Sequence, residues 1–181
     1  MGISSVAALP PTDLPLPPNK PVKLPLRIFL CIAAMVIMGG LGGAVTAGSI
    51  ADWYAPLRKP PGTPPNFVFG PVWTLLYAML GSSLALIWHH APAGAERRRA
   101  LGLAAFHLIL NLSWSPVFFG LHQVAAALGI ICFMVITAAM VIKSFLRLRK
   151  SAGLLWIPYF LWISCATWLN AGILLLNPQL R

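Results

Sequence analysis

The sequence predicts an all-α membrane protein, a bundle of five transmembrane helices. Three observations carry that prediction. Of 181 residues, 59% are hydrophobic and 9% charged, with a mean hydropathy of +0.81. Apolar runs long enough to cross a bilayer recur five times along the chain. A single bundle of this length cannot hide so much apolar surface in its own interior, so lipid has to cover the rest. The expected division is a disordered, proline-rich N-terminal tail over 1–26, one transmembrane domain over 27–177 and a short C-terminal tail over 178–181.

The tail holds seven prolines and little hydrophobic periodicity, so it reads as extended and polyproline-prone. Its opening MGISSV misses a myristoylation signal at Val6, and it is not Arg-rich and amphipathic as a transit peptide would be. The five spans are expected near 27–50, 67–90, 100–119, 121–142 and 153–176. At about 1.5 Å per residue, runs of about 20 to 24 residues reach roughly 30 to 36 Å, enough to cross the hydrocarbon with modest tilt. In the first, Gly39, Gly43 and Ala47 recur at four-residue spacing, a face that permits close helix approach, either between two copies or within the bundle.

The first connection, 51–66, is the only long one, and long loops in compact bundles are usually functional. It leads into KPPGTPPNFVFGPVW, Lys59 to Trp73, where four prolines within seven residues remove helix-forming N–H groups and make a stiff cover. The link between the third and fourth spans, Pro116 to His122, is so short that those helices form an antiparallel hairpin.

The net charge of +10 does not point to nucleic acid, because the basic residues lie between spans and form no stripe on a soluble face. The lipid bilayer is the expected partner. Ten basic residues fall on the N-terminal side of the membrane and three on the other, which favours a cytosolic N-terminus. Cys31, Cys132 and Cys165 lie inside spans without paired or metal-type spacing.

Ionisable residues are almost absent from the spans. The only acids are Asp13, Asp52 and Glu96, all outside the hydrocarbon, which argues against an ion-coupled transporter and against the nucleophile, base and acid set of a hydrolase. No catalytic residue and no metal ligand is expected. Of four histidines only His107 lies well inside a span, where hydrogen bonding to a neighbouring helix is the commoner use. Aromatic and amide residues, by contrast, group by helix face: Phe69, Trp73 and Tyr77; His107, Asn111 and Trp114; Tyr159, Trp162, Ala166 and Asn170. Converging stripes of this kind would line an apolar cavity with a few hydrogen-bonding groups. The same residues also fit interfacial anchoring and helix packing, and spacing alone does not choose between the two.

Three ordered motifs, WYAPLRKPPGTPPNFVFGPVWTLLY, NLSWSPVFFG and PYFLWISCATWLN, together resemble the TspO/translocator protein family, also called peripheral-type benzodiazepine receptors, over about 27–177. The resemblance implies a five-helix membrane protein, often a homodimer, whose cavity binds porphyrins such as protoporphyrin IX and haem, sterols or other lipids, and benzodiazepine-type ligands. It implies no obligatory cofactor; porphyrin or haem is the ligand. The function it implies is tetrapyrrole transport, scavenging or slow light-dependent degradation, with a sterol or lipid carrier or a membrane scaffold as the alternative, and not turnover by an enzyme's acid–base site. In that family the first loop closes the cavity. Its Trp-Tyr pair corresponds to Trp53 and Tyr54, its proline segment to Pro60, Pro64 and Pro65, and the other ligand-binding positions to Trp73, Asn111, Trp114, Trp162, Ala166 and Asn170; Tyr77, on the stripe with Trp73, is expected to join them. The mitochondrial outer membrane or the endoplasmic reticulum and Golgi are the locations this implies for a eukaryotic member. Two departures stand out. Gly62 replaces the tryptophan usual between the loop's prolines, and AGILLLNPQLR after Asn170 lacks the Tyr of the cholesterol-recognition pattern.

Overall fold

The structure, a computed structural model, describes residues 23–180. The tail expected over 1–26 lies outside the described residues as far as residue 22, as does Arg181. The elements are α1 (Leu24–Ser49) ending in a π turn (Ile50–Tyr54), α2 (Asn66–His90), α3 (Ala95–Ser115) ending in a second π turn (Pro116–Gly120), α4 (Val124–Leu148), the short α5 (Lys150–Leu154), α6 (Ile157–Leu176) and a final 3₁₀ turn (Pro178–Leu180). They make five spans long and apolar enough to cross a membrane, α5 and α6 together forming the fifth. The protein is a multi-pass integral membrane protein.

Several boundaries differ from those read off hydropathy. α3 begins at Ala95, so Glu96 and Arg97 to Arg99 are helical: hydropathy marks where the hydrocarbon ends, whereas the helix continues into the headgroups, and an acid in its first turn suits the helix dipole. α4 starts only at Val124, because His122 in the link takes a positive φ of 57° that no helix continues through. The fifth span breaks between Leu154 and Ile157, and Pro158 sits in the first turn of α6, where its fixed φ costs nothing. The first span runs on through Tyr54, which leaves 55–65 as the loop and puts Trp53 and Tyr54 on a helix end.

The helices close into a ring: α1 packs on α2 and α3, α3 on α4, α4 on α6, and α2 completes the circle against α5 and α6. Glycine sets the closest approach. A Cβ at Gly81 of α2 would stand 2.7 Å from the Cys31 carbonyl oxygen and the Ile32 Cα of α1, and Gly39 of α1 lies against the Tyr77 ring. Of the small-residue face of α1, Gly39 is thus packed within the bundle, while Gly43 and Ala47 remain exposed. Its other face, with Leu26, Phe29, Leu30, Ile37 and Leu41 exposed, is left to lipid.

Among the described residues the buried side-chain polar groups of this core are paired, as an apolar medium demands, with the Trp162 indole as the exception. The Trp156 Nε1–H donates to Ser83 Oγ at 3.0 Å, and Ser83 donates onward to the Ala152 carbonyl at 2.8 Å, tying α2 to the break in the fifth span. The first loop is fastened in the same manner. Asn177 accepts from the Arg58 N–H at 3.0 Å and donates to the Arg58 carbonyl at 2.9 Å, Pro60 is buried against Gly172 of α6, and the Thr63 hydroxyl donates to the Pro60 carbonyl at 2.7 Å. Gly62 has φ +80°, a conformation side chains rarely adopt, and open space around its Cβ position. The residue that departs from the family pattern thus makes a turn that needs glycine, while the order of the loop comes from Arg58, Pro60 and Thr63 on either side of it.

Candidate ligand-binding cavity

Where α1 and α2 separate beyond the Gly39–Tyr77 contact, the bundle encloses a cavity of about 440 Å³, within the size range of small-molecule sites. α2 contributes Phe69, Trp73 and Tyr77, and α3 contributes Asn111, Trp114 and Ser115. α6 adds Trp162, Ala166, Asn170 and Ile173; the two π turns add Tyr54 and the Phe118–Phe119 pair. α4 supplies none of the wall. The three stripes found in the sequence converge here, except that His107 and Tyr159 lie beneath the floor. The residues lining the cavity include no Asp, Glu, Lys, Arg or His. Those of them that are exposed, Gly40, Gly43 and Ala47 of α1 and Asn66, Gly70 and Thr74 of α2, all flank the gap between these two helices.

Aromatic contacts set the wall's shape. Trp73 stacks on Tyr77 with centroids 5.4 Å apart, and Phe69 meets Trp162 edge-on at 5.7 Å. Trp114 stacks on Phe118 at 5.0 Å, while its Nε1–H donates to Asn170 Oδ1 at 3.2 Å. Asn170 in turn donates to the Val124 carbonyl at 2.9 Å, so α3, α6 and α4 are joined through one amide. The Trp162 Nε1 is buried without a hydrogen-bond partner.

The floor is a directed hydrogen-bond chain. Tyr77 donates to Asn111 Oδ1 at 2.7 Å, and Asn111 Nδ2 donates to the Tyr159 hydroxyl at 3.0 Å. The Tyr159 proton then has one partner left, His107 Nε2 at 2.7 Å. Thr137 gives its own proton to the Phe133 carbonyl at 2.8 Å, so it accepts from His107 Nδ1–H, also at 2.8 Å. The chain assigns the histidine tautomer: proton on Nδ1, lone pair on Nε2 committed to tyrosine. With both ring nitrogens engaged, His107 has no lone pair to offer an iron. His107→Leu should lower stability by about 1–3 kcal/mol by leaving the Tyr159 hydroxyl without its acceptor. His107→Gln, which can accept and donate at similar reach, should recover part of that in a thermal melt.

Of the ligand-binding positions expected from the sequence, Tyr54, Trp73, Tyr77, Asn111, Trp114, Trp162, Ala166 and Asn170 line the cavity. Trp53 and Pro64 do not. Trp53 and Tyr54 both pack on the Phe118–Phe119 pair, but Trp53 lies on its outer side, stacking on His122 at 4.2 Å and meeting Phe118 edge-on at 5.4 Å, so it pegs the end of the first span to the link between α3 and α4. Adjacent residues on a helix end diverge by about 100°, and only one of the pair can face inward. Pro64 sits partly exposed in the loop, where Pro60 makes the inward contact. The glycines of α1 and the Phe118–Phe119 pair were missed as wall residues. A π turn whose Leu121 N–H reaches back to the Pro116 carbonyl at 2.8 Å turns those phenylalanines inward, and no spacing in the sequence announces it.

Arg58 and Lys59 stand behind this wall. The Lys59 ammonium lies 4.5 Å from the Tyr54 ring centroid and donates to the Ala55 and Leu57 carbonyls. Burial pushes its pKa below the ordinary lysine value.

The sequence pattern of the TspO/MBR family matches residues 31–176. The chain is 37% identical over 153 residues to the tryptophan-rich protein TspO of Chlorobaculum tepidum, covering 84% of this chain and 97% of that one. It is 38% identical over 152 residues to the protein of the same name from Archaeoglobus fulgidus, again covering 84% and 97%. The human translocator protein is 34% identical over 131 residues, 72% of this chain and 78% of its own. With five spans closing on one aromatic cavity and a match that takes in every span, this chain belongs to the TspO/MBR family.

Proposed function

We propose that the protein binds a tetrapyrrole, protoporphyrin IX or haem, in the aromatic cavity, and transports, scavenges or slowly degrades it in light. The observation that carries this reading is a pair of indoles facing one cavity from two of its walls, Trp73 on α2 and Trp162 on α6. A flat apolar macrocycle can lie against both, and each aromatic pair adds about 0.5–1.5 kcal/mol beyond area burial. Its carboxylates would project through the gap between α1 and α2, near Asn66, because nothing on the wall neutralises them. Light-dependent breakdown would draw on Trp73 and Trp162 as oxidisable neighbours of a photosensitiser. No acid–base residue faces the cavity, so enzymatic hydrolysis is not part of this reading.

Titrating the purified protein with protoporphyrin IX while following tryptophan fluorescence tests it. Changing Trp73 and Trp162 together to Phe should weaken binding at least fivefold; quenching that survives the double change unaltered would sink the stacked arrangement. One observation favours a second reading. A wall without charge suits a neutral sterol or lipid better than a dianion, and a sterol that displaces protoporphyrin at equal or lower concentration would favour the carrier.

A further inference from the structure

A second concavity lies on the lipid-facing side of the bundle, between the start of α3 and the end of α4, at the basic end of the spans. It is a shallow groove, open to the surroundings and lined by Ala95, Glu96, Arg99, Leu103, Met140, Lys143, Ser144 and Arg147. The two helices are antiparallel, so their residues pair by depth. By that register Leu103 lies at the depth of Met140 on the hydrocarbon side; about 6 Å farther out, four residues along the helix, Arg99 lies at the depth of Lys143 and Ser144, and beyond them Glu96 at that of Arg147. Arg99, Lys143 and Arg147 are all exposed. Three cations against one carboxylate leave the groove with a net charge of +2.

From this ladder we infer that the groove is a binding site for one anionic phospholipid. The apolar floor matches an acyl chain, and the cations one turn outward stand at the depth of the phosphate. Basic pockets between transmembrane helices are suited to anionic headgroups, and a guanidinium offers a fork that matches phosphate oxygens. Glu96, at the outermost level, disfavours a second negative charge there, so a headgroup with a single anionic phosphate and a neutral outer part, of the phosphatidylglycerol type, fits best. The site does not depend on what the aromatic cavity holds. A scatter of positive charge at a membrane face would attract anionic lipid without selecting a place for it, and the two cases give different results.

The test is retention of phosphatidylglycerol by the full-length protein, released from nanodiscs into detergent and observed by native mass spectrometry. One phosphatidylglycerol should stay bound per chain while phosphatidylcholine is lost. Arg99→Gln, Lys143→Gln and Arg147→Gln together should weaken retention at least tenfold, Lys143→Arg should preserve it, and Arg149→Gln with Lys150→Gln, two exposed charges outside the groove, should change it less than twofold. Unchanged helicity and melting temperature exclude misfolding, and Lys143→Gln alone gives a milder second reading in the same direction. Equal loss in the Arg149 and Lys150 variant, equal retention of phosphatidylcholine, or no retained lipid in the unaltered protein would overturn the site. Competition by millimolar inorganic phosphate as strong as that by the lipid would show a site for free anions and overturn it too.

Discussion

Gly81→Leu is expected to force α1 and α2 apart and to lower the stability of the bundle. The atoms a side chain would meet are backbone, the Cys31 carbonyl oxygen and the Ile32 Cα, each 2.7 Å from where its Cβ must stand. Backbone inside a helix cannot swing aside as a side-chain tip can. α1 would have to move bodily away, and α1 is the span with the fewest buried side chains, Met35 alone among Leu24–Ser49. Overpacking typically costs about 1–3 kcal/mol and sometimes more; here the upper end is expected, because separating the pair also lifts Tyr77 from Gly39. The measurement is the unfolding midpoint in detergent, beside Gly129→Ala as a control. Gly129 is exposed within α4 and its Cβ position is open, so alanine should stabilise the protein by up to about 1 kcal/mol. A Gly81→Leu protein that melts within a degree of the unaltered one would refute the claim that this glycine sets the helix spacing.

The sequence made some of these features legible and concealed others for physical reasons. Hydropathy locates spans because lipid imposes it, and it is blind where helices continue into the headgroups, as at Arg97 to Arg99. Side-chain stripes are readable because an α-helix repeats its faces at fixed spacing, and so Trp73, Asn111 and Trp162 could be grouped by face. The two π turns break that repeat, which hid the inward aim of Phe118 and Phe119 and the division of labour between Trp53 and Tyr54. Pairings across the bundle were equally out of reach. Nothing in the spacing of His107, Thr137 and Tyr159 says that three helices meet at one imidazole, or that Asn177 holds the loop at Arg58. The Gly39 face illustrates a signal whose existence was visible and whose partner was not: the spacing permits a second copy or a neighbouring helix, and in the fold Gly39 meets Tyr77.

Ala166→Phe should separate binding from folding more cleanly than any other change. Ala166 stands on α6 one turn beyond Trp162 and one turn before Asn170, in the wall of the cavity and in contact with the main core. A ring there would project into the cavity rather than into a neighbouring helix, so the backbone has no reason to move. Filling a cavity with an apolar group adds contacts that the void forfeits, and the melting temperature should hold or rise. The ligand would lose that same space. Affinity for protoporphyrin IX should fall at least tenfold, about 1.4 kcal/mol, and a sterol should lose comparably if the carrier reading is the right one, since both occupy one cavity. Stability and affinity moving in opposite directions is the diagnostic pattern, because a variant that merely misfolds lowers both. Were Ala166→Phe to bind protoporphyrin IX as tightly as the unaltered protein while remaining folded, the macrocycle would have to sit elsewhere, and the assignment of Trp73 and Trp162 as its platform would fall with it.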